Sequence, residues 1–109
     1  MTLPEISPAD AHARMLSGEV WGIDVREPAE CAAGRSAAAL QMPLSAFNVD
    51  ELPTDRPLVF LCRSGGRSGQ VTAALIGVRS DIANMTGGMQ AWQAAGLPMI
   101  ADSGPPRVA

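Results

Sequence analysis

Aromatic residues are scarce in this chain: two Phe, two Trp and no Tyr in 109 residues. A core therefore has to be assembled from Ala, Val, Leu, Ile and Met. Positive charge is also in short supply. Eight basic residues stand against 11 acidic ones, for a net charge of −3 and a pI of about 4.9. Nucleic-acid binders carry a basic stripe, and its absence argues against that class. No run approaches the roughly 18 apolar residues of a membrane span, so no membrane partner is expected. The opening Met1–Asp10, with Pro4, Glu5 and Pro8, lacks the basic and apolar regions of a signal peptide, and the expected compartment is the cytoplasm. Two cysteines, Cys31 and Cys62, and one histidine, His12, give no zinc or iron–sulfur spacing, so no metal is expected. A Cys31–Cys62 disulfide is the less expected state in a cytosol.

What is present suits one folded unit. Hydrophobic residues make up 47% and charged residues 17%, enough apolar material for a core and too little charge for a disordered chain. Residues 1–100 read as the domain. Residues 101–109, Ala-Asp-Ser-Gly-Pro-Pro-Arg-Val-Ala, read as a flexible C-terminal tail.

Ser7 and Pro8 form a helix start, with Ala11, Met15 and Leu16 as its apolar face and Gly18 as its stop. Val20 to Val25 predicts a buried strand. Pro28 opens a short helix that Gly34 closes. Ala39 to Leu44 reads as a further strand, and a helical turn fits around Phe47, Val49 and Leu52. Leu58-Val59-Phe60-Leu61 is wholly apolar, the pattern of a central parallel strand covered on both faces. A helix is expected from Arg67, with Val71, Ala74, Leu75 and Val78 at i, i+3, i+4 and i+7. Asp81 to Met85 predicts a strand, Gly87-Gly88 a turn, and Met89 to Ala95 a last helix ending at Gly96. Strands alternating with helices imply an α/β fold, a mainly parallel central sheet with helices on both faces. Ligands bind such sheets beyond the carboxyl ends of the strands, where Cys62 lies.

The segment Cys62-Arg63-Ser64-Gly65-Gly66-Arg67-Ser68 joins a strand to a helix. Two glycines allow backbone angles closed to other residues, so successive N–H groups can converge into an anion-binding nest. The helix adds its free N–H groups and dipole, and Arg63 and Arg67 add charge. A thiolate at the centre is favoured over the thiol, with a pKa drawn from about 8.5 toward 3.5–7.5, and would be nucleophilic at neutral pH. A buried free cysteine is more often an apolar filler; two arginines and two glycines within five positions argue against that here.

This loop resembles the active-site loop of the rhodanese family. Four more segments agree in order: Ile23-Asp24-Val25-Arg26-Glu27-Pro28 with Glu30 behind it, Met42-Pro43-Leu44, Asp55-Arg56-Pro57-Leu58-Val59, and Gly87-Gly88-Met89-Gln90-Ala91-Trp92 with Gly96-Leu97-Pro98. The likeness covers about residues 5–98. It implies a single rhodanese-like domain acting as a sulfurtransferase. Cys62 would take the outer sulfur of a small anionic donor such as thiosulfate as a persulfide and pass it to cyanide or a thiol. Neither metal nor organic cofactor is implied. Related phosphatase and arsenate-reductase loops place Arg after five intervening residues. Here four separate Cys62 from Arg67, and Ser68 stands where the longer motif wants Arg. An alternative is a sulfur-carrier or regulatory binding module with little turnover, although inactive relatives generally lack the cysteine.

Supporting residues are less defined. Asp24 interrupts an apolar strand and either orients the loop or, the favoured reading, pairs with a local donor. Arg26 and Glu30, four apart, are spaced for a helix-type ion pair, and the resemblance puts Arg26 near the site mouth, where it could steer anions. Arg35 is a candidate third positive charge. It lies in Gly34-Arg35-Ser36-Ala37-Ala38-Ala39, where the family usually has Gly-His-Ile-Pro-Gly-Ala. Cys31 reads as an apolar filler, with a resolving thiol as the alternative. Trp92 and Met89 are expected to pack the last helix to the core. His12 is expected to be exposed.

Overall fold

A computed structural model describes residues 2–109. Its five strands are β1 (Glu5–Ile6), β2 (Trp21–Asp24), β3 (Ala39–Gln41), β4 (Leu58–Leu61) and β5 (Ile82–Met85). They form one sheet in the order β1-β5-β4-β2-β3, with every pairing parallel. The helices are α1 (Pro8–Ser17), α2 (Pro28–Ala33), α3 (Gly66–Leu75) and α4 (Gly88–Ala94), and two 3-10 turns lie at Leu44–Ala46 and Val49–Glu51.

The central strand β4 is buried at all four positions and divides its side chains by the two-residue period of a strand. Leu58, Phe60 and then Cys62 face α3 through Val71 and Leu75, together with Ile23, Val25 and Ile82. Val59 and Leu61 face α1 and α4 through Ala11, Met15, Met89 and Trp92. The expected parallel α/β sheet with helices on both faces is the observed fold. From β2 the chain crosses outward to β3, and from β4 it crosses the other way to β5. The carboxyl ends of β2 and β4 thus flank the point where the winding reverses, the place where open α/β sheets bind ligands. The Cys62 loop leaves β4 there.

Element ends follow local chemistry. Ser7 accepts from the Asp10 N–H to cap α1, and Gly18, at φ 81°, closes it. Several expectations are corrected. Leu16 is exposed, because only Ala11 and Met15 of α1 face the sheet. Val78 lies beyond the end of α3 and is exposed, as is Ala74. The buried face of α3 is Ser68, Val71, Thr72 and Leu75. The short strand β1 was not anticipated. His12 is half-buried, not exposed, and meets Trp92 edge-on with ring centroids 5.1 Å apart.

Residues 101–109, read from composition as a flexible tail, are laid against the body. Asp102 and Arg107 donate their N–H groups to the carbonyls of Ala32 and Ala33. Just before them, Ile100 pairs antiparallel with Arg35. No helix of the described residues is long and apolar enough to cross a membrane.

Candidate active site

Cys62 is only 1% exposed. Its Sγ accepts from the Gly65 N–H at 3.1 Å and the Ser68 N–H at 3.5 Å, with the Ser68 hydroxyl 3.3 Å away. Burial alone would push this thiol up. Ser68, through its N–H and, when its proton is turned to sulfur, its hydroxyl, leads the donors that outweigh burial, and with the N–H groups of Gly65 and Ser64 it holds the thiol below its ordinary value. The nest expected from the glycines is thus formed, and it closes on sulfur.

The loop's inward N–H groups require outward carbonyls, and α4 receives them. Met89 and Gln90 donate their N–H groups to the carbonyls of Cys62 and Arg63 at 2.8 and 2.9 Å. This contact needs glycine at position 88. With φ at +58°, a Cβ there would lie 2.6 Å from the Cys62 and Arg63 carbonyl oxygens. Gly65, at φ +98°, makes the turn into α3 with the Gly87 nitrogen 3.3 Å from where a Cβ would stand. The Gly87-Gly88 signature is therefore the second half of the Cys62 cradle.

Asn84, in the middle of β5, is a residue that sequence reasoning missed. It is buried; its Nδ2 donates to the Gly65 carbonyl at 3.2 Å, and its Oδ1 accepts from the Ser68 hydroxyl at 2.6 Å. The available signal was a polar residue inside the apolar run Ile82 to Met85, the signal already used for Asp24.

The charged residues are placed differently from expectation. Arg67 makes a two-pronged pair with Glu30, at 2.8 Å from Nη1 and 2.6 Å from Nη2. Glu30 also accepts from the Glu27 N–H at 2.8 Å. The hydrogen bonds from Arg67, foremost, hold its carboxyl down at about 2. Arg26 does not pair with Glu30 and does not reach the mouth. It is fully buried and binds Asp24 through Nε and Nη2, with Nη2 also donating to the Gly34 carbonyl. Burial works against its charge, but Asp24 outweighs burial and the guanidinium is held above its ordinary value. Asp24 is accordingly the structural partner of Arg26, as favoured. Arg35 bonds to Asp102 at 2.8 Å and to the Cys31 carbonyl. Arg63 is exposed; its Nε donates to the Ala109 carbonyl at 2.9 Å, and the Gln90 amide oxygen, turned toward it, accepts at 2.8 Å. Ser64 and Gly66 complete the exposed lip of the loop. Cys31 is a free thiol, 1% exposed, pushed up to about 11 mainly by burial, which suits a filler and not a ready thiolate.

The family model for the rhodanese-like domain matches residues 7–95. The chain belongs to the rhodanese-like family. A protein of Allochromatium vinosum named sulfurtransferase is 42% identical over 104 residues, covering 92% of this chain and 97% of that protein. Among solved structures, a rhodanese-related protein from Thermoplasma volcanium superposes with a TM-score of 0.80 at 27% identity, covering 89% of this chain and 97% of that one. A thiosulfate sulfurtransferase from Pseudomonas aeruginosa has the same fold, with a TM-score of 0.80 at 19% identity; the match covers 93% of this chain and 21% of that one. The rhodanese-like chain is thus a family member with sulfurtransferase relatives.

Proposed function

We propose that this chain is a sulfurtransferase that carries a sulfane sulfur on Cys62. The observation that carries the reading is the ring of donors around the Cys62 sulfur, which favours an anionic sulfur over a protonated one. The Cys62 thiolate attacks the outer sulfur of thiosulfate, a new S–S bond forms, and sulfite departs with the electron pair of the broken bond. Cyanide then attacks the outer sulfur and leaves as thiocyanate, and the thiolate returns. The two steps balance without an external oxidant or reductant, and no cofactor is needed. The backbone of Arg63, Ser64, Gly65, Gly66, Arg67 and Ser68 forms the loop that receives the donor and holds the persulfide. A cellular thiol fits as acceptor as well as cyanide, and a cytoplasmic setting suits a thiolate that must stay reduced.

A second reading, a sulfur-carrier module with little turnover on thiosulfate, draws support from the arginines. Arg67 is paired with Glu30 and the Nε of Arg63 with the Ala109 carbonyl, so both guanidiniums are partly committed before a small dianion arrives.

Intact-mass measurement after thiosulfate treatment tests the main reading. One added sulfur on the Cys62 peptide, removed by cyanide, is the expected result. Full transferase activity in Cys62→Ser would sink it. Persulfide formation without appreciable thiocyanate production would favour the carrier.

A further inference from the structure

The Ser68 hydroxyl has one proton and two acceptors. It stands 3.3 Å from the Cys62 sulfur and 2.6 Å from Asn84 Oδ1. Asn84 cannot readily turn its oxygen away, because its Nδ2 is engaged with the Gly65 carbonyl. At a buried site, the shorter bond to a carbonyl-type oxygen holds the proton. The hydroxyl then presents a lone pair to Cys62. That suits a thiol, whose S–H can donate to Ser68 Oγ, giving a satisfied chain from sulfur through Ser68 to Asn84. It does not suit a thiolate, which needs donors. For Ser68 to serve a thiolate it must release Asn84 and leave a buried oxygen without a partner, which is unfavourable.

We propose that Asn84 is a positioning residue that holds the Ser68 proton away from Cys62 and so restrains ionisation of the reacting sulfur. The N–H groups of Gly65 and Ser68 supply the stabilisation, and the Ser68–Asn84 bond limits it. A restrained thiolate is protected from alkylation and oxidation between turnovers. When an outer sulfur is carried, Cys62 Sγ is neutral and Ser68 can remain with Asn84. The charged groups around Cys62 are Arg67 on α3, bound to Glu30 on α2, Arg63 beside it, turned to Ala109, and the Asp24–Arg26 pair at the end of β2. Neither β5 nor α4 brings a titratable side chain, so Asn84 acts through Ser68 and not through charge.

The inference rests on Cys62 being the reacting sulfur, but its test needs no sulfur donor. The pH dependence of Cys62 alkylation, followed on its peptide by mass spectrometry, is measured in wild type, Asn84→Leu, Ser68→Ala and the double variant. The Gly65 carbonyl keeps its bond from the Gly69 N–H in the leucine variant. The expected result is a midpoint lowered by about half a pH unit or more in Asn84→Leu, no lowering when Ser68 is already alanine, and little change in Ser68→Ala alone. An unchanged or raised midpoint in Asn84→Leu, or the same shift in both Ser68 backgrounds, would overturn the proposal. If Asn84→Leu does not fold, Ser68→Ala decides: a midpoint raised by about one unit means Ser68 was serving the thiolate and the proposal is wrong. Persulfide loading, measured separately with thiosulfate, reports on the function and leaves this result untouched.

Discussion

Arg67 reaches Cys62 electrostatically, yet both hydrogen bonds its guanidinium makes go to Glu30. Arg35 is tied to Asp102 and the Cys31 carbonyl. Removing Arg67 takes away a cation and leaves Glu30 unpaired near the site; both changes disfavour the thiolate. Arg67→Ala is therefore expected to raise the midpoint of Cys62 alkylation by roughly half to one pH unit, given a partly exposed, screened guanidinium. Arg35→Ala should leave it unmoved. A larger shift in Arg35→Ala would show that the two are ranked wrongly. At this scale the loop that turns its N–H groups onto the Cys62 sulfur was legible, since its two glycines are a local signal for such a turn. The sequence misled at Arg26. The four-residue spacing to Glu30 has meaning only on a helix, and α2 begins two residues after Arg26, at Pro28. Extended there, the chain turns Arg26 inward to Asp24. Asn84 was passed over because its role comes from partners 16 and 19 residues away, which no local pattern encodes.

Among the elements, α4 matters as much for its first turn as for its buried face. Its N–H groups take the carbonyls of Cys62 and Arg63, and Gly88 lets the two backbones touch. Gly88→Ala adds a Cβ at 2.6 Å from both carbonyl oxygens and forces an L-residue to φ +58°. The conformational cost alone is about 1–2 kcal/mol, and the collision must be relieved by moving the loop. A fall in stability of roughly 2–4 kcal/mol is expected, read by urea unfolding, together with loss of most persulfide formation under conditions where the variant is still folded. Persulfide formation at the wild-type rate in folded Gly88→Ala would mean that α4 does not set the cradle. The strands and helices were legible because the apolar runs and their glycine and proline stops are local signals. The face of α3 was read correctly at Val71 and Leu75 and missed at its other positions. Hydrophobic periodicity counted Ala74 and Val78, whereas Ser68 and Thr72 are the buried positions. Both are polar, and both are satisfied inside: Thr72 donates to the Ser68 carbonyl and Ser68 to Asn84. α3 follows the Cys62 loop and carries Ser68 and Thr72 on its inner face, and a hydrophobic count misses them. The strand β1 escaped for a different reason. Its ladder exists only because β5 is beside it.

For the whole molecule, distant segments are clipped together by ion pairs and hydrogen bonds at the rims of the sheet. Asp102 holds Arg35, and Arg107 and Asp102 donate to α2, which is why a stretch with the composition of a tail lies against the body. Glu30 joins α2 to α3 through Arg67. Asp81, beside β5, holds Arg79, whose guanidinium also donates to the Pro53 and Arg56 carbonyls ahead of β4. Asp55 takes the Trp21 indole N–H, with Arg56 stacked 4.3 Å from the Trp21 ring centre. Three carboxyls are held below their ordinary values: Glu30 at about 2 mainly by hydrogen bonds from Arg67, Asp81 mainly by those from Arg79, and Asp55 mainly by the one from Trp21. A carboxyl depressed in the folded state stabilises fully above its unfolded value, and that contribution is lost as pH falls through the folded one. The carboxyl contribution should therefore be level through neutral pH and decline from about pH 4.5 toward 2. For Glu30 the share is on the order of 1–2 kcal/mol after allowing for solvent around the half-exposed arginine. Urea unfolding of wild type and Glu30→Gln at pH 7, 4 and 2.5 separates this share from the rest. The variant should be the less stable at pH 7, and the gap should narrow steadily as the solution is acidified, because protonation does to wild type what the substitution has already done. Parallel curves with a constant gap would mean that Glu30 acts through packing and not through its charge.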